Sequence, residues 1–144
     1  RVHRFSADGE WLQSWGQQGA EPGEFTLPHN IAVSRTGTVV VADREPNNRV
    51  QLFDLEGNFT SQWPGRLFPC GLAIDGDDTV FVAEGFGVSI FNMDGDLLSM
   101  VPLRGGPEDQ PHGSHAVAVD NRGDLYVNEV GAPNLMHKFR RVKS

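Results

Sequence analysis

The chain has 144 residues, a formal net charge of −7 and 38% apolar residues. This length and apolar content predict one compact architecture with its own core. The twelve basic residues are scattered along an acidic chain, so we do not expect nucleic acid as a partner. No stretch approaches the roughly eighteen apolar residues of a spanning helix, so we expect no membrane partner either. The single cysteine, Cys70, excludes an internal disulfide and any metal site with several cysteine ligands.

The predicted elements begin with two strands, "RVHRF" at 1–5 and "ADGEWLQSW" within 7–15. The next segment, "HNIAVSRTGTVVVAD" at 29–43, has two alternating apolar runs around a polar turn, which predicts a β-hairpin. The two-strand pattern of the N-terminus then recurs at 49–63. Hairpin and strand pair together predict a unit of four short antiparallel strands.

This four-strand unit repeats along the chain. The segments "CGLAIDGDDTVFVAE" (70–84) and "HAVAVDNRGDLYVNE" (115–129) align with the first hairpin without a gap, and each closes on an acid. The strand pair follows again at 87–101 and begins once more at 134–139. A four-strand unit that recurs every 41 to 45 residues predicts an all-β fold, a β-propeller whose blades cover one another's faces.

The repeats divide the chain into a half blade (1–16), two blades (27–63 and 67–101) and a partial blade (111–144). About three blades are too few for a ring, since closed propellers have about four to eight. We therefore expect the chain to be a fragment of a longer protein, or else a homo-oligomer whose copies complete the ring. We favour the fragment.

The stretch "PHNIAV…GTVVVADREPNNRVQLF" resembles NHL-repeat propellers, and residues 1–53 as a whole look like peptidyl-α-hydroxyglycine α-amidating lyases. The resemblance implies a six-bladed ring. It also implies an enzyme that cleaves a C-terminal α-hydroxyglycine into a peptide amide and glyoxylate, with a zinc ion held by three histidines. By position, His29 and His115 match two of those histidines, and Arg44 of "ADRE" matches an arginine of the active site.

The blade register gives a physical reason for a metal at these histidines. Equivalent residues at the start of the innermost strands face a common central channel, and three imidazoles from alternate blades leave the fourth tetrahedral position of zinc open. His29 and His115 lie two blades apart, with Cys70 at the matching position between them. The alternatives are histidines bonded to backbone groups and a cysteine that serves as a small core residue, which is how we interpret Cys70. His112, in "PHGSH", is an alternative ligand to His115.

Arg44 is a candidate for holding the substrate carboxylate or a developing oxyanion, because its guanidinium is always charged and fork-shaped. The alternative is a strand-end arginine paired with Asp43 or Glu45. The closing acids of the three hairpins recur whether or not a histidine is present, so we interpret Asp43, Glu84 and Glu129 as structural.

Some family features are missing. The resemblance places the third zinc histidine and a catalytic tyrosine upstream of Arg1, and Ala116 stands where the family has an acid for a structural calcium, so we do not expect calcium. We predict little or no lyase activity for these 144 residues alone. The leading interpretation is a segment of a zinc-dependent carbon–nitrogen lyase acting on a peptide or small amide-type substrate, and the alternative is a non-catalytic protein-binding scaffold. The compartment stays open, with an extracytoplasmic or secreted location favoured.

Overall fold

The computed structural model describes residues 1–85, 87–103, 113–131 and 135–142. Within these ranges the chain forms strands and turns and no helix, so no described segment could cross a membrane as a helix. The thirteen strands are β1 (Val2–Phe5), β2 (Trp11–Trp15), β3 (Pro28–Val33), β4 (Val39–Asp43), β5 (Arg49–Phe53), β6 (Phe59–Trp63), β7 (Gly71–Ile74), β8 (Val80–Glu84), β9 (Gly87–Phe91), β10 (Leu97–Pro102), β11 (Gly113–Val119), β12 (Leu125–Val130) and β13 (Met136–Phe139).

The strands form four antiparallel sheets, each built from consecutive strands. Two sheets have four strands, in the orders β3-β4-β5-β6 and β7-β8-β9-β10, and they are flanked by the pair β1-β2 and by the three-stranded β11-β12-β13. Strand β7 packs beside both β3 and β11, so the first strands of three successive sheets lie next to one another. This confirms the predicted all-β propeller blades, with β3, β7 and β11 innermost.

The core lies between the faces of neighbouring blades. Strands β4 and β5 are buried along their whole length, because a blade covers each face of the sheet. Strand β4 is accordingly rich in valine, whereas β5 also buries Arg49 and Gln51. The main apolar cluster joins the first complete blade to the second through Val40, Val50, Val80 and Val82. Each such side chain contributes about 1.5–3 kcal/mol on burial. The outer strand β6, by contrast, is exposed except at Trp63.

Tryptophans of two outer strands pack against the next blade. Trp15 of β2 lies over Gly57, in the turn between β5 and β6, and Trp63 of β6 lies over Gly95, in the equivalent turn of the next blade. Both glycines have positive φ, at 83° and 89°, and a Cβ atom at either would stand less than 3 Å from an indole ring. Glycine is therefore required there both by the backbone and by the packing.

Candidate functional site

Both candidate histidines occupy β-bulges at the start of an innermost strand. In β3 the register shifts between Pro28 and Asn30, so His29 is the extra residue opposite β4. In β11 the shift falls between Ser114 and Ala116, and His115 is the extra residue opposite β12. A bulge redirects a side chain out of the regular alternation of the strand, and bulges are frequent beside active sites. The same device at the same place in two blades directs both imidazoles to one side.

The two imidazoles meet, with Cys70 beside them. The ring centroids of His29 and His115 are 5.1 Å apart, and the rings stand edge to face at 85°. One potential ligand atom from each of His29, Cys70 and His115 lies within 4.8 Å of the other two. Cys70 directly precedes β7, where its N–H donates to the carbonyl of Ala83 at 2.8 Å. The structure therefore brings together the equivalent residues of three successive blades.

A backbone contact fixes the proton on His29. Its Nδ1 lies 2.8 Å from the carbonyl oxygen of Cys70. A carbonyl can only accept, so Nδ1 carries a hydrogen, and in the neutral ring the lone pair is therefore on Nε2. Metal-binding histidines are commonly oriented in this way by a carbonyl at the second nitrogen.

His115 is positioned by the blade next to it. The preceding residue, Ser114, is buried, and its hydroxyl donates to the carbonyl of Gly87 at 2.6 Å. Gly71 provides the room for close approach, since a Cβ atom there would stand 2.7 Å from the carbonyl oxygen of His115. The backbone of β11 can therefore approach β7 only because residue 71 has no side chain.

The electrostatic surroundings favour a neutral imidazole at His115. Burial lowers the pKa of His115, and electrostatic interactions with His29 and Arg44 lower it further. Burial raises the pKa of the Cys70 thiol, while Arg44 acts in the opposite direction and Glu45 in the same direction. A neutral imidazole is the form that binds a metal, and a thiol must lose its proton to do so.

Arg44 lies at the same site. A cavity of about 440 Å³ is lined by Arg44, Cys70 and His115 and by the apolar residues Leu67, Phe68 and Val130. His29 lines a different cavity. The guanidinium of Arg44 donates from Nε and Nη2 to the two carboxylate oxygens of Glu45, both at 2.9 Å. Of the two pairings considered for Arg44, the structure contains the one with Glu45.

The closing acids have the contacts of structural residues. Asp43 is fully buried and accepts four hydrogen bonds, from the amides of Thr26 and Leu27 and from the side chains of Asn47 and Arg49. The first two partners belong to the segment that leads into β3, so Asp43 fixes the approach to His29.

The other two acids also lie against neighbouring segments of their own blades. Glu84 accepts from the amide of Leu67 at 3.1 Å and from Arg66 at 3.4 Å. Glu129 is buried, with its Oε2 atom 3.1 Å from Nε2 of His137 in β13. The partners differ, but each acid fixes a neighbouring segment of its own blade.

Two features of the site could not be read as such from the sequence. The bulges have no sequence signal that separates them from regular strands. Cys70 was assigned to the core, and it is indeed buried, but it belongs to none of the three apolar clusters among the described residues. The signal that could have identified Cys70 was its gap-free alignment with His29 and His115. His112, the alternative ligand, lies outside the described residues.

The three side chains fit a metal of the zinc type. In a tetrahedral site with bonds of about 2.0–2.3 Å, neighbouring ligand atoms stand about 3.3–3.8 Å apart. The three potential ligand atoms here need to approach one another by at most about 1.5 Å, given their limit of 4.8 Å. Imidazole and thiolate are both ligands that zinc accepts.

Comparisons with known proteins define the class first. Residues 25–53 match the family model of the NHL repeat. A gluconolactonase from Xanthomonas campestris superimposes with a TM-score of 0.71 over 96% of this chain and 44% of its own, at 20% identity. A virginiamycin B lyase from Staphylococcus aureus reaches 0.66 over 96% of this chain and 47% of its own, at 14% identity. These likenesses show the fold, and the chain consists of NHL-type β-propeller blades.

Among sequence relatives, peptidyl-glycine alpha-amidating monooxygenase A of Xenopus laevis is 31% identical over 166 residues, covering 100% of this chain. Protein brain tumor of Drosophila melanogaster is 30% identical over 147 residues, covering 87% of this chain. The chain spans only 17% of the first relative and 13% of the second. Over its whole length, the chain is thus a homologue of one part of the amidating monooxygenase.

Proposed function

We propose that these blades form part of the active site of a zinc-dependent lyase that cleaves peptidyl-α-hydroxyglycine into a peptide amide and glyoxylate. The convergence of His29 and His115 carries the proposal, with their rings 5.1 Å apart at the ends of two innermost strands. The similarity of the whole chain to peptidyl-glycine alpha-amidating monooxygenase A supports it.

His29 and His115 would hold the metal through neutral imidazoles. The bond from Nδ1 of His29 to the Cys70 carbonyl leaves Nε2 as the ligand atom. The lowered pKa of His115 keeps that ring unprotonated to more acidic pH. Zinc bound there supplies a Lewis acid that polarises an oxygen of the substrate.

Arg44 would bind the carboxylate of the hydroxyglycine. Its fork already holds a carboxylate, that of Glu45, through two bonds of 2.9 Å. Among the described residues, Nη1 of Arg44 makes no hydrogen bond, which leaves a donor for a second carboxylate. The cavity beside Arg44, Cys70 and His115 has room for the end of a peptide, and its exposed apolar side chains would contact that peptide.

Metal content is the first test of this proposal. Elemental analysis of a purified protein that contains these blades in a complete ring should find about one zinc per ring, and His29→Ala or His115→Ala should remove it. His3→Ala is the matched control, since His3 is an exposed histidine of β1 and should leave the zinc in place. Zinc-free wild-type protein would contradict the proposal.

Kinetics are the second test, in a protein that contains these blades in a complete ring. Arg44→Ala should lower kcat/KM for a peptidyl-α-hydroxyglycine by at least about tenfold, because a hydrogen bond to a charged group contributes about 1.5–3 kcal/mol. Arg35→Ala, in the hairpin turn after β3, should leave kcat/KM unchanged. An unchanged kcat/KM in Arg44→Ala would remove Arg44 from the mechanism.

The second candidate function is a non-catalytic scaffold that binds proteins. The similarity to Protein brain tumor and to NHL repeat-containing protein 3 of Homo sapiens, which is 28% identical over 92% of this chain, favours it. A protein that binds no zinc and turns over no hydroxyglycine peptide, yet keeps its blades folded, would support the scaffold instead.

A further inference from the structure

We propose that Cys70 is a third metal ligand, so that the ion is held by His29, Cys70 and His115 from three successive blades. The inference rests on the proposed metal site at the two histidines. Binding replaces the S–H bond of Cys70 by a sulfur–metal bond and releases one proton to the solvent. Cys70 would then take the place of the third histidine that the family resemblance implies, which leaves one open position, as in catalytic zinc sites.

The position of Cys70 in the blade supports this role. It aligns without a gap with both histidines and stands directly before the innermost strand of its own blade. The backbone is strained just upstream, since Phe68 has a φ of +52°. Such a conformation in a bulky residue costs about 1–3 kcal/mol and is most frequent at functional sites. The strained turn places the sulfur between two blades that each present an imidazole.

The surroundings of the sulfur are those of a site rather than of a core. Cys70 is buried, but among the described residues its sulfur has one hydrogen-bond partner, the carbonyl of Phe68 at 3.2 Å. A potential ligand atom of His29 and one of His115 lie within 4.8 Å of it. Arg44 lines the same cavity as the sulfur.

The peptide group of Cys70 also takes part in the cluster. Its carbonyl orients His29, as described above, so one residue would bind the metal with its side chain and position another ligand with its backbone. Gly71, the next residue, allows His115 to approach. Residues 70 and 71 therefore bring the ligands of the neighbouring blades together.

Cobalt(II) substitution tests this inference, because a thiolate bound to cobalt gives a sulfur-to-metal charge-transfer band in the near ultraviolet and imidazoles alone do not. Titration of the metal-free chain with cobalt(II) should produce this band, saturating at one equivalent. Cys70→Ser should lose the band and bind cobalt about tenfold or more weakly, in the range seen when supporting groups of metal sites are removed. His3→Ala should retain the band.

The possible results separate the inference from the proposed function. If cobalt binds at one equivalent, depends on His29 and His115, and gives superimposable spectra in wild type and Cys70→Ser, the metal site stands and Cys70 is not a ligand. If the wild type binds no cobalt, both proposals fail.

A measurement on the wild type alone covers the case in which Cys70→Ser does not fold. The chain has one cysteine, so alkylation by iodoacetamide reports on Cys70. Zinc should slow that alkylation about tenfold or more if the sulfur is a ligand. An unchanged rate at saturating zinc would overturn the inference.

Discussion

The two complete blades differ at their inner ends although their strands match. Both have the order of four antiparallel strands, and both close the second strand on an acid. The first blade begins with His29 in a bulge, whereas the second begins with Cys70 ahead of a regular strand. In the first blade the closing acid, Asp43, accepts hydrogen bonds from four donors, whereas Glu84 in the second blade accepts from two.

This comparison distinguishes residues that maintain the blade from residues that form the candidate site. The closing acid contacts the segment that leads into its own blade, so it is needed whatever residue begins the innermost strand. The residue at the strand start faces the neighbouring blades and can change without loss of the blade. A repeat fold can therefore vary its site while the register that positions the site stays constant.

The largest expected effect is on stability, when the closing acids Asp43 and Glu84 are removed one at a time. Asp43→Ala leaves the buried guanidinium of Arg49 without its carboxylate, and the pair is only 6% and 0% exposed. We expect a loss of about 3–5 kcal/mol in the free energy of unfolding. Glu84→Ala should cost about 1–2 kcal/mol, because its donors are fewer and Arg66 is more exposed. Urea denaturation of both variants measures the difference, and equal losses would contradict it.

Substitution of Gly71 should prevent the close packing of β7 against β11. In Gly71→Ala the new Cβ atom would stand 2.7 Å from the carbonyl oxygen of His115, so β11 must move. We expect a cost of about 1–3 kcal/mol in stability and a fall of about tenfold or more in metal affinity. Gly76→Ala, in the hairpin turn of the same blade, is the control, since its Cβ would meet only the end of Arg35 at 3.7 Å. Metal titration should then give unchanged affinity for Gly76→Ala, and loss of affinity in both variants would refute the explanation.

The two blades also differ at the position after the closing acid, where the first blade has Arg44 and the second has Gly85. Freeing Arg44 from its ion pair with Glu45 tests what this arginine adds to the first blade. Glu45→Gln removes a carboxylate that occupies the Arg44 fork, in a pair that is 23% and 43% exposed. Because such pairs contribute about 0–1 kcal/mol, stability should hardly change, and KM for a carboxylate substrate should fall by up to about fivefold. Steady-state kinetics measure this, and a higher KM would show that Glu45 assists Arg44 instead.

The smallest effect is expected in the hairpin turns, where Ser34, Asp75 and Asp120 occupy equivalent positions. Burial alone would raise the pKa of Asp120, but hydrogen bonds from the amide and side chain of Arg122 and the amide of Asp124 hold that pKa at about 2, below its ordinary 3.8.

Since the pKa is lowered on folding, the charged form stabilises the fold above about pH 3.8, and this contribution is lost as the pH falls towards about 2. Asp120→Ser, which copies the first blade, should flatten the fall of stability over that window. Denaturation curves at several pH values measure it, and an unchanged slope would contradict the assignment.

Much of the fold could be predicted because it depends on local patterns. Alternation of apolar residues, turn residues and the gap-free repeat at 29, 70 and 115 all follow from strand geometry, and they determined the blades and their order. The site could be predicted only in part. The register placed His29 and His115 on a common channel, but whether a side chain there faces a neighbour or packs into the core depends on the bulge.

The sequence by itself determined that this protein is built of four-stranded blades, and that two histidines and a cysteine occupy equivalent strand starts. Only the tertiary structure decided that the three side chains meet, with Arg44 beside Cys70 and His115 on one cavity. The reason is physical: periodicity is a property of one strand, whereas the meeting of three strand ends depends on how closely blades pack. That distance is determined here by residues such as Gly71, whose missing side chain lets His115 approach.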